Sequence, residues 1–145
     1  MIAVLQILFV LVLNVSVDYF YLKYICTRAE EIINRVTQHD TAVDTNRRIQ
    51  CAIPVYIALS SGLYFNVLQY TDDNFWEAFL LGGQFGMVVF TVYDFTNMAS
   101  FYNWELLFAL QDIIFGTISF AFYAGFVSFI DHITEELPRN YIANT

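Results

Sequence analysis

The sequence predicts an all-α protein, a four-helix transmembrane bundle with its N- and C-termini on the same side. Three observations lead there. Of 145 residues, 58% are hydrophobic and only 14% charged, far from the balance of a water-soluble domain. Four stretches, about 2–25, 50–70, 76–99 and 105–130, each approach the roughly 20 apolar residues that a helix needs to cross the hydrocarbon core. Between them lie two short joints and one charged loop, 27–48, with a polar tail, 131–145, at the end. Residues 1–145 therefore read as a single membrane domain, and an even number of spans returns the chain to its starting side.

The first helix begins like a signal peptide, Met1 to Val17, but no basic residues precede the apolar run and no small-residue cleavage pattern follows it. It is expected to stay. Asn14-Val15-Ser16 spells a glycosylation acceptor, yet sits within that apolar run, so its use is not expected. The loop and its edges carry Lys23, Arg28, Arg35, Arg47 and Arg48, leaving only Arg139 elsewhere, which assigns the loop to the cytoplasmic side. Within it, Glu30 to Val36 can prolong the first helix or lie along the surface.

In the second helix, Pro54 is expected near the start, where a missing N–H matters least. Ala58, Gly62, Asn66 and Gln69 form a small and polar stripe expected to face other helices. Thr71-Asp72-Asp73-Asn74 is a turn and N-cap signal for the third helix. Ser100 to Asn103 makes the next joint, with Ser100 or Asn103 available as cap and Glu105 placed to suit the helix dipole. Tyr24, Tyr70, Trp76, Tyr102 and Trp104 fall near helix ends, where amphipathic rings anchor at the interface. The tail with Pro138 reads as a surface segment, or as a docking element for a partner.

Several chemistries find no support. The formal charge is −8 and the six basic residues form no stripe, so no nucleic-acid partner is expected. Cys26 and Cys51 flank the same loop but are too few for a disulfide framework and lack metal-ligand spacing. Free thiols are expected, with a bridge or acylation as the alternatives. His39 and His132 fall on opposite membrane faces, which argues against a metal site. Ser60, Ser61 and Ser119 have no intramembrane His or Lys beside them, so neither nucleophilic catalysis nor a cofactor is expected. Asp94 and Asp112 resemble the pair of an intramembrane aspartyl protease without the loop motifs of such enzymes.

The informative residues are the polar ones inside the spans. Asp18, Asp94 and Asp112 each cost about 2.5–3.5 kcal/mol near mid-helix on insertion scales. Counted at about 1.5 Å per residue, Asp18 lies about 10 Å in from Ile25, Asp94 about 7 Å in from Ala99 and Asp112 about 10 Å in from Glu105. Three acids on three helices are thus expected in one cytoplasmic-side layer. Asn14, Asp18 and Tyr21 share a face of the first helix; Gly83, Gly86, Phe90, Asp94 and Asn97 share one on the third; Asp112, Gly116, Ser119 and Tyr123 share one on the fourth. Gly82-xxx-Gly86 and Ala121-xxx-Gly125 permit close backbone approach, so Gly82, Gly83, Gly86, Gly116 and Gly125 are the expected packing residues. The cluster Asn14, Asp18, Asp94, Asn97 and Asp112 then reads as interhelical glue, a water-filled cleft, or a proton or cation site.

Gly82, Gly86, the run Tyr93-Asp94-x-Thr96-Asn97, Trp104 and the Asp112-x-x-x-Gly116 motif together resemble a family of four-span membrane proteins, domain-of-unknown-function family 2177. Asp18 with Tyr21-Leu22 adds to the likeness, Tyr21 standing where the family usually has Trp and Phe115 where the last motif commonly has Trp. A longer, more charged first loop is a further departure. The resemblance implies the same four-span fold, no defined reaction, and membership shared by bacteria and large double-stranded DNA viruses. Two functions are carried forward. One is a non-enzymatic structural or assembly role, as in a viral internal membrane beneath a capsid, with the lipid bilayer, other membrane or capsid proteins, or further copies as partners. The other is a small transporter, or a proton or cation pathway, through the intramembrane aspartates.

Overall fold

A computed structural model describes residues 3–25, 45–71 and 74–143, with 25, 45, 48 and 135–143 described by backbone alone. Cys26, His39, the first loop from 27 to 44 and the Asp72-Asp73 pair lie outside the described residues. Four helices make up nearly everything else. They are α1 (Ala3–Phe20), α2 (Thr45–Asn66), α3 (Phe75–Ser100) and α4 (Leu106–Ala143). All four are long and apolar enough to cross a membrane, over Ala3–Tyr24, Ile49–Tyr70, Phe75–Ser100 and Leu106–Thr134. The protein is a multi-pass integral membrane protein.

Helix α1 turns the pattern of a soluble helix inside out. Its buried stripe is Gln6, Val10 and Asn14, continued by Tyr21 just beyond its end, whereas Val4, Leu8, Val12, Val15 and Tyr19 point outward. Lipid, as apolar as leucine, welcomes the outer face, and the polar stripe must find its partners inside. The helix ends in a wider π-helical turn, Tyr21–Ile25. Lys23 there is exposed and donates to the Tyr19 hydroxyl at 3.1 Å, so its charge is held at the rim by aromatic rings.

Helix α2 starts earlier than the sequence suggests, which places Pro54 well inside it instead of in its first turn. Its inward face also differs from expectation. Ser60, Leu63 and Val67 are buried, whereas Ala58, Asn66 and Gln69 are exposed. The reason is local. Asn66 Nδ2 donates to the Gly62 carbonyl at 2.7 Å and Gln69 Nε2 to the Phe65 carbonyl at 2.5 Å, so both amides satisfy their donors on their own helix. A short 3₁₀ turn, Leu68–Tyr70, closes the segment.

Asn74 caps α3, its Oδ1 accepting from the Trp76 and Glu77 amides at 3.1 and 3.3 Å. Helix α4 does not stop at 130. It continues through Ala143, and Asp131, assigned by the sequence to a surface tail, is buried against α1 and accepts a hydrogen bond from Gln6 Nε2. That contact and the Tyr21–Phe115 stack bring the start of α1 to the late part of α4 and the end of α1 to its early part. The two helices are therefore antiparallel, and both ends of the chain lie on one side.

The helices are not evenly packed. Helices α3 and α4 share by far the most extensive interface, α1 packs on α2 and on α4, and α2 barely meets α3. One apolar core, Val10, Leu63, Val127 and Phe120 among its members, fills the half nearer the chain ends; a smaller one, Tyr21 and Phe108, fills the other.

Candidate functional site

Glycines bring α3 and α4 into backbone contact. A methyl group at Gly82 would lie 2.6 Å from the Phe120 carbonyl oxygen, and one at Gly86 would lie 2.5 Å from that of Gly116. Phe90 lies against Gly116, Phe75 against Gly125, and Gly83 has slightly more room against Ala121. This pair forms the fixed wall of the site.

Across from it α2 stands off, and a cleft of about 540 Å³ opens between the two. Asp18 enters it from α1 and Asp112 from α4, while Tyr56 of α2 and Phe90 and Tyr93 of α3 supply aromatic faces. Val55, Leu59 and Val89 complete its apolar sides, and the exposed Cys51 lies at the rim. No described lining residue is basic. Tyr56 stands beside Asp18, and Tyr21 beside Asp112. Asp112 is in turn the charged neighbour of both Asp18 and Asp94.

Asp94 itself is fully buried and does not line the cleft. Trp104 Nε1 donates to its Oδ1 at 3.2 Å, and its Oδ2 is buried without a hydrogen-bond partner. Asn97, one turn away, keeps its Nδ2 buried and unpartnered. Asn14 and Ser60 lie one turn deeper than Asp18 and Tyr56 on their helices. Both are 0% exposed, and neither the Asn14 amide atoms nor the Ser60 hydroxyl has a protein partner. Buried polar groups of this kind are rare and call for water or a ligand. Among the described residues, no three His, Cys, Asp or Glu side chains approach closely enough to hold a metal ion.

The profile of the family described as predicted membrane protein (DUF2177) matches residues 3–129. The chain belongs to that family. The DUF2177 match takes in Asn14, Asp18, Asp94, Asn97 and Asp112 and every residue of the cleft, and ends just before Asp131. No curated protein and no solved structure matches the chain. Tyr21 and Phe115 are in contact, their rings stacked 3.6 Å apart at 9°. This aromatic pair packs with Phe108 in the smaller of the two cores.

Trp104, Tyr56, Tyr93 and Cys51 belong to this constellation, although the sequence suggests less for them. Trp104 reads as an interfacial anchor because it follows a helix end, yet the short joint folds its indole back onto Asp94. Tyr56 had one usable signal, its four-residue spacing to Ser60 on the stripe that continues to Leu63 and Val67.

Proposed function

We propose that this protein is a small, non-enzymatic membrane protein that accepts a proton or a monovalent cation at its intramembrane aspartates and passes it across the bilayer. The observation that carries this reading is the pairing of Asp18 and Asp112 in one cleft with no basic residue among its described walls. Intramembrane carboxylates are costly and commonly mark ion or proton pathways. Fully buried Asn14 and Ser60 extend the polar surface one turn further inward, while Val10, Leu63 and Val127, each 0% exposed, form an apolar barrier beyond them. In a transporter of this kind the barrier must part for the ion to complete its crossing.

Flux into proteoliposomes tests it. The wild-type chain is expected to dissipate a proton or monovalent-cation gradient, and Asp18→Asn, Asp94→Asn or Asp112→Asn to slow this by about tenfold or more. Equal rates for all four proteins, or a wild-type rate equal to that of empty vesicles, overturn the reading.

A second reading, an assembly module, is favoured by a separate observation. Gln84 is exposed in the middle of α3, beside a shallow groove of about 280 Å³ lined by Gly83, Thr117 and Ala121. An amide facing lipid next to small residues is a helix-association signal. Its partners would be further copies or other membrane or capsid proteins, as in a virion's internal membrane. Gln84→Leu would then reduce crosslinked oligomers in the native membrane, and an unchanged pattern would count against it.

A further inference from the structure

We infer that the cleft between α2 and α3 binds a lipophilic organic cation, a quaternary or protonated amine or phosphonium centre carried on an apolar body. The inference rests on the proposed handling of cations at these aspartates and names their ligand class. Size comes first. About 540 Å³ is far more than a proton or a bare monovalent ion requires, and it falls within the roughly 300–1,000 Å³ typical of small-molecule sites. Charge comes second. Asp18 and Asp112 both face the space, no described lining residue is basic, and Lys23 is turned away toward Tyr19 and Tyr24, so the described walls repel an anion.

Coordination chemistry narrows the choice further. A divalent metal prefers six or more oxygens in a compact shell, and the described residues provide no cluster of three candidate ligands. A soft, diffuse cation needs no such shell. The faces of Tyr56, Phe90 and Tyr93 attract it through their π-electrons, and Val55, Leu59 and Val89 cover its body. Access fits as well. The gap exists because α2 barely touches α3, so it opens sideways between two helices whose outer faces are apolar. A ligand already dissolved in the membrane can enter without crossing water.

The test uses the full chain in nanodiscs with Cys26→Ser, which leaves Cys51 as its only thiol. Cys51 lies at the rim of the cleft, so its reaction with a maleimide reports occupancy. Tetraphenylphosphonium is the probe, and tetraphenylborate, of nearly the same size and opposite charge, is the control. The phosphonium is expected to bind saturably and to slow labelling by about fivefold or more, and the borate to do neither. Asp112→Asn or Asp18→Asn is expected to weaken phosphonium binding by about tenfold or more. Should either variant fail to fold, Tyr93→Leu, at a half-exposed position, tests the aromatic wall, with about a two- to fivefold loss expected.

Equal protection by the two ions shows partition into lipid alone and overturns the inference, as does the absence of saturable binding to a well-folded wild-type protein. Proton or inorganic-cation flux that depends on the aspartates, in a protein that does not bind the phosphonium, defeats this inference while sparing the proposed function. Loss of both flux and binding defeats both.

Discussion

Helices α3 and α4 are joined through their backbones; α2 is held to the rest through side chains, and loosely. In lipid no hydrophobic force pulls one helix onto another, so contact depends on how closely the surfaces can approach. Gly82, Gly86 and Gly116 let two helices touch along most of their length. Tyr56, Phe90 and Tyr93 project from the facing surfaces of α2 and α3, and the space they frame is the cleft. The contrast teaches that residue size alone can divide a small membrane bundle into a rigid pair and a site-bearing gap.

The strongest way to break this contrast is Gly86→Leu. Its side chain would drive into the Gly116 backbone and the Phe120 side chain, and the loss is expected to reach about 3 kcal/mol or more, seen as a lower unfolding midpoint in bicelles. Ala58→Leu, on the exposed face of α2, should change the same midpoint by less than about 0.5 kcal/mol. Similar losses at both positions would show that the two halves are not packed differently.

Trp104→Phe has a smaller expected effect. It removes the one hydrogen bond that the structure gives Asp94 and leaves a fully buried carboxyl group without a donor, at a cost of about 1–2 kcal/mol. Asp94→Leu in the Trp104→Phe background should recover part of that loss, and a further drop instead would point to a different role for Asp94. Smaller again is Gln6→Leu, which breaks the contact with Asp131 at the opposite end. Hydrogen bonds between membrane helices average about 0.6 kcal/mol, so a loss near that value is expected, together with faster hydrogen exchange in the first turns of α1. Unchanged exchange there would mean that Gln6 does not tether the helix.

Much of this was legible in the sequence and some was not, for identifiable reasons. The long apolar runs mark the spans because a membrane leaves a helix no other way to satisfy its backbone. Asp18, Asp94 and Asp112 could be given an expected depth along their own helices by counting, since rise per residue is fixed. The inward face of α2 was not legible, because Asn66 and Gln69 look like interhelical groups until they fold back on their own carbonyls. Nor was the end of α4, since Asp131 reads as a surface acid unless Gln6 is known to lie beside it.

What the sequence determined by itself is local and one-dimensional: which segments enter the bilayer, where they are capped, and how far along each helix a polar side chain lies. Which acids share a cleft, which one is sealed beneath an indole, and that Tyr21 meets Phe115 were decided only by the tertiary structure. A helix fixes the height and direction of a side chain, but the distance across to the next helix depends on the size of every residue between them, and that sum exists only once the helices have packed.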